Sequence, residues 1–553
     1  MLSQALDALL RKRQSRAPLS DASVDTYLAK TLFIDVEADR GGRLNAVGAV
    51  LDDRIFRWEK RGSRSFASAG LDGFVRGAER IAGHNILAHD LPILRDALPG
   101  LAAWTLPVVD TLVLSPLAFP ANPYHRLIKG YKLEKDAVND PVADARLCRA
   151  VLRDEIDAFV RLVRQTPDAA AFHRFALSGP GHSGMADLFG LCGAPLPPTA
   201  FAAFTLWMQC ATARVCTAAS ARLAAAELEP SVARLAFAHA LAWLGVAGGA
   251  SVLPAWVRHQ HPAVRPLLHD LRDTPCDAPS CAWCRTAFSA THWLRETFGF
   301  DVFRPKPAAP DGGSLQQRIV EAGLAGRPAL AVLPTGGGKS LCFQVPALAR
   351  HQRTGALTVV VSPLQALMKD QVDNFRSKTG RPAAAAALYG ALTLPERGAV
   401  MDRVRHGDVA LLYVSPEQLR NPSVVRTIEH REIGAWVFDE AHCLSKWGHD
   451  FRPDYLYTAR FIAELAERQG TPPPPVTCLT ATAKHEVVEE IRGHIRDRLG
   501  QELDLYAGGA ERSNLTFTVE SITPAEKVER IAALLEQHVR QGGASACAVV
   551  YAA

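Results

Sequence analysis

The sequence lacks a strong charge bias: its formal net charge is +5 over 553 residues, which permits a polyanionic partner but does not demand one. It also lacks the low hydrophobicity of a disordered chain. With 48% hydrophobic and 22% charged residues, 40 Gly and 36 Pro, it has the make-up of an ordinary globular protein. No apolar segment follows the basic residues Arg11, Lys12, Arg13 and Arg16, so the N-terminus does not read as a signal peptide. Without that signature, 11 cysteines spread from Cys148 to Cys547 argue against a disulfide framework and for a reducing, cytoplasmic setting. There is no internal repeat. One stretch, Leu235 to Val257, has no charged residue for 23 positions, long enough to cross a bilayer. It is Ala-rich, broken by Gly248-Gly249 and Pro254, and carries His239, so a buried helix with a broken end is the better reading and no membrane partner is expected.

At roughly 150 residues per domain the length suggests three to four domains. After an N-terminal segment (1–29), residues 30–165 read as α/β, opening on a three-strand meander at Thr31–Val36, Leu44–Leu51 and Arg54–Trp58. Strand signals vanish over 166–299, where Ala/Leu/Arg-rich helical periodicity predicts a helical linker domain. A Pro/Gly-rich loop, Pro305 to Gly313, precedes a second α/β region at 300–505. Its apolar runs at Ala329–Leu333, Leu357–Ser362, Val409–Val414, Ala435–Phe438 and Val476–Leu479 alternate with helical segments, which predicts a parallel sheet with crossovers. The biased tract Ala383–Ala387 reads as loop or helix lining. Residues 506–553 open a further lobe.

The run Leu333-Pro334-Thr335-Gly336-Gly337-Gly338-Lys339-Ser340 follows a predicted strand and precedes a helix, the setting a phosphate loop requires. Three glycines let backbone N–H groups turn toward β- and γ-phosphates, and the helix N-terminus adds its dipole. Lys339 supplies compensating charge and Ser340 a Mg²⁺ ligand. Asp439-Glu440-Ala441-His442 ends another apolar run. There Asp439 suits a Mg²⁺ shell and Glu440 a water-activating base.

These motifs resemble those of superfamily 2 helicases, specifically the RecQ-like DNA helicases. Besides the phosphate loop and the DEAH box, the resemblance rests on Ser362-Pro363-Leu364 with Asp370-Gln371, on Val414-Ser415-Pro416-Glu417, and on Leu479-Thr480-Ala481-Thr482-Ala483. Phe303-Arg304-Pro305 and Gln316 are similar to the family's adenine-reading motif, with a Pro/Gly insertion between its parts. The segment Cys443 to Pro453 is similar to the aromatic-rich loop of RecQ enzymes: Trp447 and Phe451 are suited to stacking on unpaired bases while Lys446 and Arg452 face the strand's backbone. The resemblance implies ATP and Mg²⁺ as cofactors and single-stranded or partly duplex DNA as partner. Arg512 to Leu515 look like the start of a second motor lobe, and the chain ends within Ala548 to Ala553, which looks like that lobe's first central strand. A fragment of a longer protein is therefore expected, with a motor incomplete in this chain.

In the N-terminal region, Asp35 and Glu37 stand two residues apart on a predicted strand and so point to one face, where like charges repel unless cations share them. Gly83-His84-Asn85, Asp90, Asp110-Thr111 and Asp144 follow. In this order they resemble the DnaQ-like (DEDD) 3′→5′ exonucleases. By that resemblance the domain is RNase H-like, and Asp35, Glu37, Asp90 and Asp144 hold two divalent ions, Mg²⁺ or Mn²⁺. The family's water-orienting His or Tyr before the last Asp is replaced by Asn139 and Asp140, and Asn cannot accept the water's proton. His125, within Tyr124 to Lys129, is a possible substitute or else a basic rim residue.

Cys276, Cys281 and Cys284, with His292 eight residues on, offer three thiolates and an imidazole over 276–292. A structural Zn²⁺ knuckle, buried free cysteines and an iron–sulfur cluster all remain open. The whole reads as an α/β multidomain ATP-dependent DNA helicase of RecQ type, fused to a metal-dependent 3′→5′ exonuclease and acting in DNA repair or defence. One rival has an N-terminal domain that only binds DNA. Another is a non-motor ATP- and DNA-binding regulator. No protein partner is legible.

Overall fold

The computed structural model describes residues 19–550 except 40, 61–63, 124–139, 226–232, 248–251, 277, 447–451, 482–483, 509–517 and 541–547. The chain divides into two compact units, Met1–Gly509 and Ala510–Ala553.

The first sheet begins after the helix Asp21–Ala29, whose N-cap Ser20 accepts the Ser23 N–H. The expected meander is present as β1 (Thr31–Ala38), β2 (Leu44–Leu51) and β3 (Arg54–Glu59). With β4 (Arg80–Gly83) and β5 (Val108–Asp110) it gives the order β3-β2-β1-β4-β5. The meander pairs are antiparallel, whereas β4 runs parallel to β1 and β5 parallel to β4. Side-chain alternation splits the sheet between two cores. Leu32, Ile34, Val36 and Val47 pack on one side with Trp58 and Trp104. Phe33, Val50 and Val109 pack on the other against the helix Pro141–Gln165.

That second core does not stop at residue 165. It runs on through Phe172, Phe189, Trp207 and Leu241 to Cys281. Among the described residues the helical region thus has no separate core and is continuous with the sheet's helical layer. The uncharged stretch forms the helix Ala233–Val246, buried from Leu235 to Leu244, and the shorter helix Ala255–Gln260. Among the described residues no helix is long and apolar enough to cross a membrane. The helix Ala290–Phe298 turns the other way: its Trp293, Leu294 and Phe298 enter a core with Phe303, Leu315 and Ile319. Packing therefore crosses the expected boundary at 299.

The second sheet has seven strands, all parallel, in the order β12-β6-β11-β10-β7-β9-β8. Its central strands β6 (Ala329–Val332), β7 (Leu357–Val361), β9 (Leu411–Val414), β10 (Ile433–Phe438) and β11 (Val476–Thr480) match the five apolar runs. Helices cover both faces, which is why these strands are apolar without alternation. Both edges differ from the sequence reading. The alanine tract supplies β8 (Ala385–Leu388) instead of loop or helix lining, because pairing with β9 and burial override alanine's weak strand preference. At the other edge, β12 (Asp504–Ala507) pairs with β6 and lies astride the expected boundary at 505. In the second unit the described residues include the helix Lys527–Leu535, continued by a π turn over Glu536–Arg540. Arg512 to Leu515 lie outside the described residues.

Candidate functional site

β6 delivers the phosphate loop to the carboxyl edge of the second sheet, the end where a parallel α/β sheet leaves a crevice. Leu333 N–H donates to the Thr480 carbonyl at 3.0 Å and Gly337 N–H to the Pro334 carbonyl at 2.8 Å, closing the loop. Gly336 and Gly338 both have φ of 81°, a left-handed conformation that glycine adopts without strain. Gly338 is also the N-cap of the helix Lys339–Thr354, with no side chain capping it, so the first-turn N–H groups face the place where phosphates would lie. Thr335 is exposed, and Lys339 and Ser340 are half-buried.

Gln316 and Arg304 both close on this loop. Gln316 Nε2 donates to the Gly338 carbonyl at 2.9 Å while its Oε1 accepts the Arg304 N–H at 3.2 Å. Arg304 Nη1 donates to the Gly336 carbonyl. The Pro/Gly insertion forms a side excursion that leaves the two parts of the motif in contact. From β10 come the acids. Lys339 Nζ lies 3.1 Å from Glu440 Oε1. Burial pushes the Asp439 carboxyl up to about 6, the neighbouring Glu440 charge adds to the rise, and Lys339 opposes it. His442 Nδ1 pairs with Thr480 Oγ1 at 3.1 Å, joining the DEAH box to the end of β11.

The model of the family described as DEAD/DEAH box helicase matches residues 314–491. The chain is similar to the probable ATP-dependent DNA helicase RecS of Bacillus subtilis, 36% identical over 44% of this chain and 44% of that protein. It is likewise similar to the ATP-dependent DNA helicase RecQ of Haemophilus influenzae, 36% identical over 43% of this chain and 34% of that one. Residues 314–491 form a DEAD/DEAH box helicase domain. The chain spans less than half the length of these relatives. Among solved structures, the DUF1998 helicase MrfA bound to DNA aligns with TM-score 0.32 and 16% identity over 43% of this chain and 31% of that one.

In the helicase domain's expected DNA loop, Trp447 and Phe451 lie outside the described residues. Of its described members, Lys446 is exposed and its N–H donates to Glu490 Oε2 at 3.1 Å. Arg452 Nη1 donates to the Pro363 carbonyl at 3.0 Å, tying the loop's far end to the Ser362-Pro363-Leu364 turn.

The first sheet assembles a second group. Asp35, Glu37 and Asp144 each place a carboxylate oxygen within 4.8 Å of the others. Asp35 and Glu37 share a face of β1, and Asp35 lies opposite Gly48 of β2. A Cβ on Gly48 would stand 2.3 Å from the Pro141 carbonyl carbon and the Val142 nitrogen. Glycine is what lets the helix Pro141–Gln165 start across β2, with Asp144 in its first turn. Asp90 lies outside this trio: it is buried, and its Oδ1 accepts the Val36 N–H at 3.0 Å. Burial raises its carboxyl to about 6, against the pull of His89.

Asp140 N-caps the helix by accepting the Val142 N–H at 3.0 Å and pairs with Arg57 at 2.7 Å. An open pocket lined by Glu37, Asn45, Arg57 and Lys60 adjoins. Asn139, and His125 with the rest of Tyr124 to Lys129, lie outside the described residues. The knuckle cysteines Cys276, Cys281 and Cys284 also come together, and their fourth companion is Cys216. His292 is not in this group. Sequence spacing alone does not single out Cys216, Arg57 or Glu490; each reaches its site through tertiary packing.

Proposed function

We propose that the chain is an ATP-dependent DNA helicase of RecQ type whose motor is coupled to a metal-dependent 3′→5′ exonuclease domain, acting on single-stranded and partly duplex DNA in repair or defence. The observation that carries the motor reading is the meeting of Lys339 and Glu440 at the phosphate loop. Lys339 would neutralise the β- and γ-phosphates, and Glu440 would take the proton of the attacking water. Ser340 and Asp439, both oxygen donors, fit a Mg²⁺ ion that supplies charge compensation to the phosphates. Gln316 would read adenine, and Lys446, Trp447, Phe451 and Arg452 would track the strand. The residues that follow β12, up to 553, are read as the opening of the second motor lobe.

The exonuclease reading, an RNase H-like domain over 30–165, is supported by the carboxylate trio. Hard oxygen donors gathered on one sheet face fit Mg²⁺ or Mn²⁺, which would activate water and stabilise the leaving 3′-oxygen. Asp35, Glu37 and Asp144 would hold the ions, Asp90 would support β1 beside them, and Arg57 and Lys60 would attract the strand's phosphates. The knuckle cysteines are read as a structural Zn²⁺ site.

A second reading, a domain that grips DNA without cutting it, is favoured by Asp140: its carboxylate is engaged by Arg57 and the helix N-terminus where the family has a water-orienting group. The test is 5′-labelled single-stranded DNA with Mg²⁺ or Mn²⁺ and no ATP, beside Asp35→Asn. A 3′ ladder lost in the variant supports the nuclease. DNA bound but uncut with either metal supports the second reading.

A further inference from the structure

Cys276, Cys281 and Cys284 belong to one short segment, but Cys216 lies 60 residues earlier in the chain, immediately before the helix Thr217–Ala225. All four sulfurs lie within 4.8 Å of one another, and Cys281 Sγ is 4.0 Å from Cys216 Sγ. Sulfurs bound tetrahedrally to one zinc ion at about 2.3 Å stand about 3.8 Å apart. The spacing fits a single ion and is too close for the corners of a four-iron cube. His292 is outside this group: it sits in the first turn of the helix Ala290–Phe298, and its ring meets Trp293 with centroids 5.8 Å apart.

The knuckle also bears on the helicase domain. Trp283, between the second and third knuckle cysteines, lies 4.1 Å beneath the Arg272 guanidinium and donates its Nε1–H to the Arg272 carbonyl at 3.2 Å. Arg272 in turn donates to the carbonyls of Arg353 at 2.6 Å and Gln352 at 3.0 Å, in the last turn of the helix Lys339–Thr354. Arg353 answers by donating to the Ala287 carbonyl at 2.9 Å, in the knuckle's own helix Ala282–Ala287. Cys216 N–H donates to the Leu271 carbonyl at 2.8 Å, next to Arg272. The four-thiol cluster therefore lies under the groups that clamp the far end of the helix starting at Lys339.

We propose that one zinc ion held by Cys216, Cys276, Cys281 and Cys284 fastens the knuckle to the helical region and so holds Arg272 and Trp283 against the end of the phosphate-loop helix. The proposal rests on reading the knuckle as a zinc site and adds its fourth ligand and its mechanical role. Binding would displace the thiol protons, and the four thiolates would complete the ion's tetrahedron. Removing the ion would free the segment around Cys276–Ala287, loosening Trp283 from Arg272 and Arg272 from the Gln352 and Arg353 carbonyls.

The test uses the full chain, purified under reducing conditions from zinc-supplemented cells, with zinc, iron and acid-labile sulfide measured per chain. One zinc is expected in the unaltered protein and in His292→Ala, and little in Cys216→Ser. Because Cys216→Ser can fail to fold, amide hydrogen exchange is followed on the unaltered protein before and after chelation. Faster exchange at the last turn of Lys339–Thr354, with β1 and β2 unchanged, is expected. Zinc kept by Cys216→Ser but lost by His292→Ala overturns the fourth ligand and leaves the zinc reading standing. Iron with sulfide, or no metal, overturns the zinc reading itself. Zinc present but unchanged exchange on chelation overturns the fastening.

Discussion

Lys339 and Glu440, 101 residues apart in sequence, meet Nζ to Oε1 at 3.1 Å. The two can therefore be separated by their effects on nucleotide. Lys339→Ala removes the phosphate counter-charge, so binding of a fluorescent ATP analogue is expected to fall sharply. Glu440→Gln keeps that charge, so it should bind the analogue while hydrolysis falls by about 10²–10⁴-fold, the usual worth of a general base. Equal binding by both variants and the unaltered chain would contradict this assignment.

Gly48→Ala touches no carboxylate, yet its Cβ would collide with the backbone at Pro141 and Val142. The helix start must shift and carry Asp144 away from Asp35. If the trio is catalytic, a displacement of about 1 Å should cost on the order of 10²-fold in 3′→5′ degradation. Nucleotide binding by the helicase domain should be unaffected. Full nuclease activity in Gly48→Ala would show that Asp144 does not need this placement.

The helical region also meets the helicase domain through His269, whose Nε2 is 2.5 Å from Glu432 Oε1, with Arg265 2.8 Å from the same oxygen. Burial disfavours charge on both partners, but their mutual hydrogen bond and charges win: Glu432 falls to about 2 and His269 rises above 6.5. The lowered Glu432 stabilises the fold above its ordinary 4.5 and loses that contribution as pH falls toward 2. The raised His269 stabilises it fully below 6.5, a contribution lost as pH rises through its folded value. The melting temperatures of the unaltered chain and His269→Gln should differ most between pH 4.5 and 6.5 and converge in alkaline buffer. A gap that widened with rising pH would refute the pairing.

Arg353 is almost wholly buried, at 1% exposure, and pairs with Asp273 while donating to the Ala287 and Leu324 carbonyls. Arg353→Ala should cost about 3–5 kcal/mol in urea unfolding, because it takes the guanidinium from the Asp273 carboxylate, which keeps only His269 beside it, and the side-chain donor from the Leu324 carbonyl, while the Ala287 carbonyl keeps Trp293 Nε1–H. A loss below about 1 kcal/mol would mean that water replaces the guanidinium.

Much of this was legible in the sequence because it is local. β7 and β10 are unbroken apolar runs, and Asp35 and Glu37 share a face by the two-residue period of a strand. The phosphate loop's glycines sit where the backbone must turn left-handed. What was not legible depends on packing between distant segments. β8 is an alanine tract that becomes a strand only because β9 offers it a partner. Cys216 stands 60 residues before Cys276 by their numbering, so no spacing rule connects them. Asp90 matches its motif, and that one of its two oxygens accepts the Val36 N–H is an interaction that only the folded strand edge creates.

The core shared by the first sheet and the helical region has a practical consequence for dissecting the protein. A cut after residue 165 would divide the buried core to which Phe159 on one side and Phe172, Phe189 and Trp207 on the other all belong, and would expose the contact of the Phe159 and Phe189 rings, whose centroids are 4.3 Å apart. Neither product would have water-compatible surfaces there, and exposed patches of that kind drive association. A soluble minimal N-terminal fragment would have to run from the helix Asp21–Ala29 through Ala287, which makes the sheet and its helices one unit of expression.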